Sequence, residues 1–505
     1  MGPVRVGERR IALADVVAVA RDSASVEVAA AARARVEAAR DVVLRLAQGD
    51  QAIYGVNSAL GANTGQRIEA ADLADYQLRA IRARAVAVGP AYDRTTVRAM
   101  LFARIAGMAA GGSGVSPHVL DALVALVNRG VHPVVPRYGS IGVADLPQLS
   151  HLALPLVGEG AAEYAGVVSS GADALQRAGL APVALGPKDG LALISANAAT
   201  VGRAALVLAD AERLAAAWRA AIALSLEGFG ANLSPLDARA VAARPAPGQV
   251  EAAAQLRALL AGSALLAPGA AERRVQDPLS FRVVAQVQGS AQAALDHARA
   301  QVELELNSAA ESPMVIASDA VMLSHGNFHL PAFTLAFDAA AIALAQASSL
   351  AVERVIRFMS PSFTGLPLQL TRHGPAHSGF ATLQKTLTAL WADIRLRANP
   401  GSLDFLPVSE GAEDHAPMAL ATVEKLADML ERIRYVVAIE LLVAAQAVDL
   451  RGTEPQALGL GPRAAYGRVR ETAPALDVDR SLGPDVDAIA ARIADGEFDT
   501  RAGSE

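Results

Sequence analysis

Apolar residues recur at helical spacing over most of the second half of this chain. Before residue 189 the pattern predicts shorter helices, separated by loops rich in glycine, asparagine and proline. After it the pattern predicts long helices at residues 189–229, 250–262, 281–306, 331–359, 377–398 and 414–449. We therefore predict a mainly α protein, with a loop-rich helical domain at residues 1–188 and a long-helix bundle with a C-terminal helical region at residues 189–505.

Two apolar runs raise the question of a membrane span. Residues 333–356 contain Asp338 and Glu353. Residues 435–450 contain Glu440 and are shorter than the roughly 18 apolar residues that a span needs. We interpret both as buried helices of a bundle. The N-terminal segment is charged and lacks the apolar core of a signal peptide, so we expect a cytoplasmic protein with no membrane partner.

Composition and charge exclude several classes of protein. The net charge of −6 comes from interspersed charges of both signs, which gives no basic surface for nucleic acid. The chain has no cysteine, so disulfides and thiolate metal sites are excluded. His329 and His415 show no metal-ligand spacing, and we expect no bound metal.

Polar segments between the predicted helices carry the chemically interesting residues. They are YGVN (54–57), VPRYGSIG (135–142), DLPQLSHLAL (145–154), KDGLALI (188–194), VQDP-S-R (275–282), ELNSA-SP (305–313), GNFH (326–329), SGF (378–380) and EDH (413–415). Long helices with such loops at their ends are typical of a bundle whose active site is assembled from several loops.

In their order and spacing, these segments resemble the histidine/phenylalanine ammonia-lyase family over about residues 30–455. The resemblance implies a long helical bundle like that of ammonia-lyases and fumarases. It also implies a homotetramer whose active sites are shared between subunits. The expected reaction eliminates an amine from a small-molecule substrate, an α-amino acid with an aromatic side chain.

The chain departs from this family where the family makes its electrophilic cofactor. Family members cyclise an internal Ala-Ser-Gly into methylidene-imidazolone, but this chain reads Gly142-Val143-Ala144-Asp145, which is one residue shorter and has no serine. The asparagine that follows GLALI in the family is Ser195 here, and the tyrosine of its QDPYS segment is Leu279. We therefore expect a protein without this cofactor.

A site without the electrophile favours a substrate whose amine leaves unaided. A trimethylated amine has no lone pair with which to form the adduct, and neutral trimethylamine leaves readily. The chain therefore resembles a cofactor-less branch of the family, that of ergothionase, and we expect elimination of trimethylamine from ergothioneine to give thiourocanate. The alternatives are a lyase for another betaine such as hercynine, a lyase for histidine, and an inactive paralogue that serves as a binding or scaffold subunit.

The resemblance also assigns roles to individual residues. Tyr54 matches the base that removes the β-proton, although a phenol needs nearby cations or donors to serve as one at neutral pH. Arg282 matches the clamp on the substrate carboxylate, because a planar guanidinium binds a carboxylate through two hydrogen bonds. Asn307 matches a polar residue near that carboxylate, or else it caps a helix.

Further residues are expected around the substrate ring and the amine. Glu413 matches the acid that meets the imidazole of histidine, or else it stabilises a helix start. Lys385 could pair with the ring substituent or with Glu413, or else it is solvated. Ser195 belongs to the substrate site by its position, and Arg84 is expected to face the carboxylate or sulfur or to be structural. Phe328 or Tyr138 could offer a π face to a cation, with core packing as the alternative.

Overall fold

The chain is mostly helical, which confirms the predicted fold class. We describe it from a computed structural model that covers residues 2–49, 53–58, 67–68, 73–267, 274–403 and 405–499. The helices are α1 (Leu13–Ala20), α2 (Ala30–Ala47), α3 (Leu73–Arg82), α4 (Arg94–Ala109), α5 (Pro117–Arg129), α6 (Leu146–Ala153), α7 (Gly171–Arg177), α8 (Asp189–Ile194), α9 (Ala198–Phe229), α10 (Ala238–Ala242), α11 (Gln249–Leu259), α12 (Leu279–Arg282), α13 (Val284–Leu306), α14 (Pro331–Phe358), α15 (Pro361–Thr364), α16 (Leu383–Arg397), α17 (Ala419–Arg451), α18 (Leu460–Thr472) and α19 (Gly483–Ala494).

The strands are short and form small separate sheets. The strands are β1 (Val4–Val6), β2 (Val26–Val28), β3 (Val88–Ala91), β4 (Val131–Pro133), β5 (Pro136–Tyr138), β6 (Ala161–Tyr164), β7 (Val167–Ser170), β8 (Met314–Ile316) and β9 (Val321–Leu323). β1 pairs in parallel with β2, while β3 with β5 and β8 with β9 are antiparallel pairs. In the antiparallel sheet β4-β6-β7, β6 and β7 form a hairpin.

The chain forms two compact units that are interleaved along the sequence. The first comprises residues 1–209, 298–336 and 400–424, and the second comprises residues 210–297, 337–399 and 425–505. The long helices α9, α13, α14 and α17 each contain a unit boundary. The division at residue 188 that the sequence suggests stays a prediction.

The core of the first unit is organised around α4, most of whose side chains are buried. Asp93 begins this helix by accepting a hydrogen bond from the Thr96 amide at 2.7 Å. The buried guanidinium of Arg98 then donates to Val19 O and Val127 O, both at 2.9 Å. These carbonyls belong to the last turns of α1 and α5, so one side chain ties the ends of two helices to the second turn of α4.

An aromatic cluster lies in the core of the second unit. The rings of Phe229 and Phe281 are stacked with centroids 3.9 Å apart, and Phe358 meets both of them edge-on. Arg451 donates to Phe229 O at 2.9 Å and to Thr364 O at 3.0 Å, which satisfies carbonyls at the ends of α9 and α15. The carbonyl groups at these helix ends, beside the aromatic cluster, therefore have a hydrogen-bond donor.

Two helical stretches of the described chain are long and apolar enough to cross a membrane by length and composition. They are Asp189–Phe229, whose most apolar window is 89% buried, and Pro331–Phe358, whose window is 56% buried. Core helices of soluble proteins pass the same test, and the high burial of the first stretch is typical of a core helix.

Candidate active site

The loop of residues 140–145 is tied by its backbone to three other segments of the first unit. Ile141 O accepts from the Met418 amide at 2.9 Å, and the Asp145 amide donates to Ala196 O at 2.7 Å. Between them, Val143 forms an antiparallel bridge with His329. The loop that stands at the family's cofactor position is therefore the meeting point of segments around residues 196, 329 and 418.

The carboxylate of Asp145 anchors this loop from within. It is fully buried and accepts from Ser140 Oγ at 2.7 Å, from the Thr200 amide at 2.7 Å and from Thr200 Oγ1 at 2.8 Å. Burial raises the pKa of Asp145, whereas these hydrogen bonds act to lower it. Because Thr200 lies in the first turn of α9, the carboxylate also caps the positive end of that helix.

The loop passes very close to the start of α17. Gly142 has φ of +82°, and a Cβ on this residue would lie 2.6 Å from the amide nitrogen of Ala419. Ala144 also has a left-handed backbone, with φ of +56°, although it carries a Cβ. Glycine is therefore required at residue 142, and the backbone of Ala144 is strained.

The residues present do not fit the family's self-made electrophile. Its formation requires a serine whose hydroxyl is lost, but residues 142–145 contain none. The nearby hydroxyl, that of Ser140, donates to Asp145 and accepts from the Gly142 amide at 3.0 Å. The loop is thus held by a hydrogen-bond network around Asp145.

Tyr54 lies in a turn that is pressed against α8. Its side chain is 37% exposed, and its backbone forms a bridge with Ser58. The next residue, Gly55, has φ of +71°, and a Cβ there would lie 2.1 Å from the Leu191 side chain. Glycine at residue 55 allows the chain to approach α8 this closely. The contact therefore fixes the backbone position of the neighbouring Tyr54.

Gln77 on α3 joins this turn to α8. Its side chain is buried, and its amide donates to Gly55 O at 3.4 Å. Its oxygen accepts from the Gly190 amide at 2.9 Å and from the Leu191 amide at 3.3 Å. One carboxamide therefore holds the Tyr54 turn and satisfies two amides of the first turn of α8.

Replacing Gln77 with leucine should destabilise the first unit by about 1–3 kcal/mol, because buried backbone groups lose their partners. Urea unfolding of the purified variant measures this loss. Gln255→Leu is the matched control, since Gln255 lies on α11 and bonds to Glu251 one turn away. Equal stability of the two variants would contradict the role of Gln77.

Ser195 and Phe328 both lie beside residues that hold the 140–145 loop. Ser195 is buried at the end of α8, next to Ala196, whose carbonyl receives the Asp145 amide. The half-buried Phe328 precedes His329, and its carbonyl accepts from Asn197 Nδ2 at 2.6 Å. The structure thus brings both predicted residues to the loop.

Glu413 lies in the same unit, two residues before His415. It is half-buried, and its carboxylate accepts from Ser409 Oγ at 3.1 Å. His415 Nδ1 lies 2.7 Å from Nε2 of His329, the residue that pairs with Val143. Burial lowers the pKa of His329, and the His415 ring lowers it further. The imidazole pair thus places the 413–415 segment beside the loop.

Arg84 and Asn307 use their polar groups within the first unit. Arg84 Nη1 donates to Ala80 O at 3.1 Å, in the last turn of α3. Asn307 Oδ1 accepts from the Ile11 amide at 2.7 Å, and its Nδ2 donates to Ile11 O at 2.8 Å and to Glu303 O at 2.7 Å. A substrate contact of Asn307 Nδ2 would require one of these bonds to break.

Arg282 and Lys385 belong to the second unit. Arg282 ends α12, and its Nη1 donates to Gln276 Oε1 at 2.9 Å. Lys385 is exposed in the first turn of α16. Their roles at a substrate carboxylate and ring stay predictions.

Sequence reasoning missed the residues that fix the loops in place. Gln77, Asn197 and Thr200 carry no motif, and each bonds to a partner more than 50 residues away in the sequence, which is Gly190, Phe328 and Asp145 respectively. Asp145 lies in a segment that was identified, but the burial of its carboxylate has no signal in the sequence. Only tertiary structure shows these bonds.

Comparison with known proteins gives consistent full-length matches. The family model described as aromatic amino acid lyase matches residues 11–471. A histidine ammonia-lyase of Stigmatella aurantiaca is 41% identical, with 96% of this chain and 95% of that protein covered. Two solved structures are similar in fold. Ergothionase of Treponema denticola has a TM-score of 0.95 at 33% identity, covering 98% of this chain and 99% of that chain. Histidine ammonia-lyase of Trypanosoma cruzi has a TM-score of 0.89 at 28% identity, covering 98% of this chain and 94% of that chain.

These matches correct the expected reaction. Three curated relatives, at 38–41% identity over 96–97% of this chain, are named histidine ammonia-lyase. Their names point to deamination of histidine, so the expectation of trimethylamine elimination from ergothioneine by an ergothionase-like enzyme was wrong. The fold, the family and a carbon–nitrogen lyase activity of the ammonia-lyase kind are confirmed. By the extent of these matches, the chain belongs to the aromatic amino acid lyase family.

Proposed function

We propose that this protein eliminates the α-amine of histidine to give ammonia and urocanate. The similarity of the whole chain to proteins named histidine ammonia-lyase carries this proposal. The clustering of Ser195, Phe328 and Glu413 about the 140–145 loop supports it, because the family resemblance places these residues near the substrate.

In the proposed reaction the side-chain oxygen of Tyr54 takes the β-proton of histidine. The electrons of that C–H bond form the Cα–Cβ double bond, and the α-ammonium group leaves as ammonia with the electrons of the C–N bond. Tyr54 suits this role because its turn is fixed against α8 while its side chain remains 37% exposed. A general base must be attached to a backbone of fixed position, and its side chain must be able to reach the substrate.

Binding of histidine is assigned to the remaining predicted residues. Arg282 is proposed to hold the carboxylate through its planar guanidinium. Glu413 is proposed to accept a hydrogen bond from the imidazole, and Lys385 to lie at the ring. Asn307 and Arg84 are proposed to lie near the substrate carboxylate. Both side chains already donate to backbone carbonyls, and this limits the further contacts that they can make.

We further propose a cytoplasmic homotetramer with active sites shared between subunits. Support comes from α14, whose apolar window is only 56% buried within one chain. Leu335 and Ile342 on this helix are 59% and 42% exposed. Such an apolar face is typical of a helix that packs against another subunit.

Steady-state assays with histidine, phenylalanine and tyrosine test the substrate assignment. We expect histidine to give the highest kcat/KM, because the Glu413 carboxylate can accept from an imidazole N–H but not from a phenyl ring. The variant Glu413→Gln should lower kcat/KM for histidine, and Glu410→Gln, which alters an exposed acid of the same loop, is the control. Turnover of phenylalanine in preference to histidine would contradict the assignment.

A further inference from the structure

An imidazole pair joins two segments of the first unit that carry predicted site residues. Nε2 of His329 lies 2.7 Å from Nδ1 of His415, and the two ring planes are tilted by 57° with centroids 4.9 Å apart. The distance is that of a hydrogen bond between ring nitrogens. His329 pairs through its backbone with Val143 of the 140–145 loop, and His415 lies two residues after Glu413.

The bonds of the 413–415 segment determine what this pair controls. Backbone hydrogen bonds of 3.0 and 3.3 Å between Val408 and Glu413 close a loop on one side of the segment. On the other side, the Met418 amide donates to Ile141 O at 2.9 Å and holds the start of α17. The imidazole pair therefore anchors the stretch between these two points, which carries the carboxylate predicted to meet the substrate ring.

The number of protons on the pair decides whether its hydrogen bond exists. A neutral imidazole has one N–H donor and one acceptor nitrogen, whereas an imidazolium has two donors and no acceptor. The bond forms when both rings are neutral, and it also forms when one of them carries an extra proton. A second extra proton makes donors of both facing nitrogens, so the bond breaks and two like charges are left in contact.

The groups around the pair provide little compensation for a second proton. The ring of His415 packs against that of Phe405, with centroids 5.2 Å apart. The carboxylates on the same segment are those of Glu413, which accepts from Ser409 Oγ, and of the exposed Asp414. Within the part of the chain that the structure describes, neither carboxylate forms an ion pair with the two rings.

The electrostatics of His329 agree with this geometry. Burial lowers its pKa from the ordinary value of 6.5, and the neighbouring His415 ring lowers it further. Because the folded-state pKa is lowered, the stability that the pair contributes is complete above about pH 6.5 and is lost as pH falls through the lowered pKa. The pair is therefore closed at neutral pH and opens in acid.

We propose that His415 and His329 form a positioning pair, which holds Glu413 at the substrate ring and releases it when both imidazoles are protonated. This inference rests on the proposed function, in which Glu413 accepts a hydrogen bond from the imidazole of histidine. The pair acts through Glu413 and takes no part in breaking the C–H or C–N bond. Its loss should therefore raise KM and leave kcat nearly unchanged.

The KM for histidine at two pH values, measured in three proteins, tests the proposal. In His415→Asn the side-chain oxygen takes the place of Nδ1 and still accepts from His329, but it does not titrate. Its KM should equal that of the unmodified protein at pH 8 and be about 10-fold lower than that of the unmodified protein at pH 5. His415→Leu lacks the bond at every pH, so its KM should be about 10-fold raised at pH 8. Comparing proteins at the same pH cancels the titration of the substrate and of Tyr54.

Thermal unfolding without substrate tests the pair independently of turnover. The Tm of the unmodified protein should match that of His415→Asn at pH 8 and fall about 1–2 °C below it at pH 5. His118→Leu is the control, because His118 is exposed on α5 and bonds to Ala184 O. It should keep the KM of the unmodified protein at both pH values.

Two results would overturn the positioning role. One is a KM of His415→Asn that follows that of the unmodified protein down to pH 5, and the other is a KM of this variant at pH 8 as high as that of His415→Leu. A Tm difference at pH 5 without any turnover of histidine would instead refute the proposed function and leave the imidazole pair standing, so the two failures are distinguishable.

Discussion

Replacing Tyr54 with phenylalanine is expected to lower the turnover of histidine by about 10²–10⁴-fold, the range typical of a lost general base. The substitution removes one oxygen atom and keeps the ring. The turn should survive, because Gly55 and Gln77 fix it through backbone contacts with α8. The effect should therefore appear in kcat, with the free energy of unfolding nearly unchanged.

The rate of urocanate formation measures this effect. Tyr164→Phe is the control, because Tyr164 lies on β6 against Arg177 and has no assigned role in the reaction. It should keep the turnover of the unmodified protein. Turnover of Tyr54→Phe within a few-fold of that of the control would remove Tyr54 from the role of base.

Replacing Arg354 with methionine is expected to destabilise the second unit by about 3–5 kcal/mol, the typical cost of leaving a buried charge without its partner. Arg354 and Glu440 are 1% and 0% exposed, and their side chains form two hydrogen bonds of 2.6 and 3.0 Å. Arg354 Nη1 also donates to Ser280 O at 3.0 Å. The substitution would leave the buried Glu440 carboxylate without its counter-charge and would remove this donor from Ser280 O.

Urea unfolding of three variants tests this expectation. Arg357→Met on the same helix removes an exposed pair with Glu353 and should cost no more than about 1 kcal/mol. The double variant Arg354→Met with Glu440→Leu should recover most of the loss, because no buried charge then remains. A loss in Arg354→Met as small as that in Arg357→Met would contradict the buried-pair argument.

Helical periodicity predicted the long helices well, because their apolar residues form continuous faces. The predicted helix at 331–359 is found at Pro331–Phe358, and that at 414–449 is found at Ala419–Arg451. The predicted helix at 189–229 is interrupted between Ile194 and Ala198. The alanine-rich sequence there suits a helix, but Asp145 bonds to Ala196 O and Asn197 bonds to Phe328 O. These partners, which are distant in the sequence, determine where the helix is interrupted. Hydrophobic periodicity carries no information about them.

The start of α16 shows the same limit. The sequence predicts a helix from residue 377, whereas α16 begins at Leu383. The amides of Ser378 and Gly379 instead donate to the Asp479 carboxylate at 2.7 and 2.9 Å. These bonds hold the chain outside the helix, and the acceptor is about 100 residues away.

The candidate site was predictable only where it carries motifs. Tyr54, Ser195, Phe328 and Glu413 were identified by resemblance, and the structure places the last three about one loop. The loop itself shows why the expected reaction was wrong. Its missing serine suggested a change of substrate, but the relatives that match the whole chain are named for histidine. Loss of a precursor residue identifies a departure from the family, and it does not by itself identify the substrate.

The central claim is that this chain deaminates histidine although residues 142–145 lack the precursor of the family's electrophile. The most direct test measures urocanate and ammonium released from histidine by the purified full-length protein, with trimethylated histidine in a parallel reaction. We predict urocanate and ammonium in equal molar amounts from histidine, with loss of both in Tyr54→Phe. Absence of urocanate from histidine, with release of trimethylamine from the trimethylated analogue, would contradict the claim.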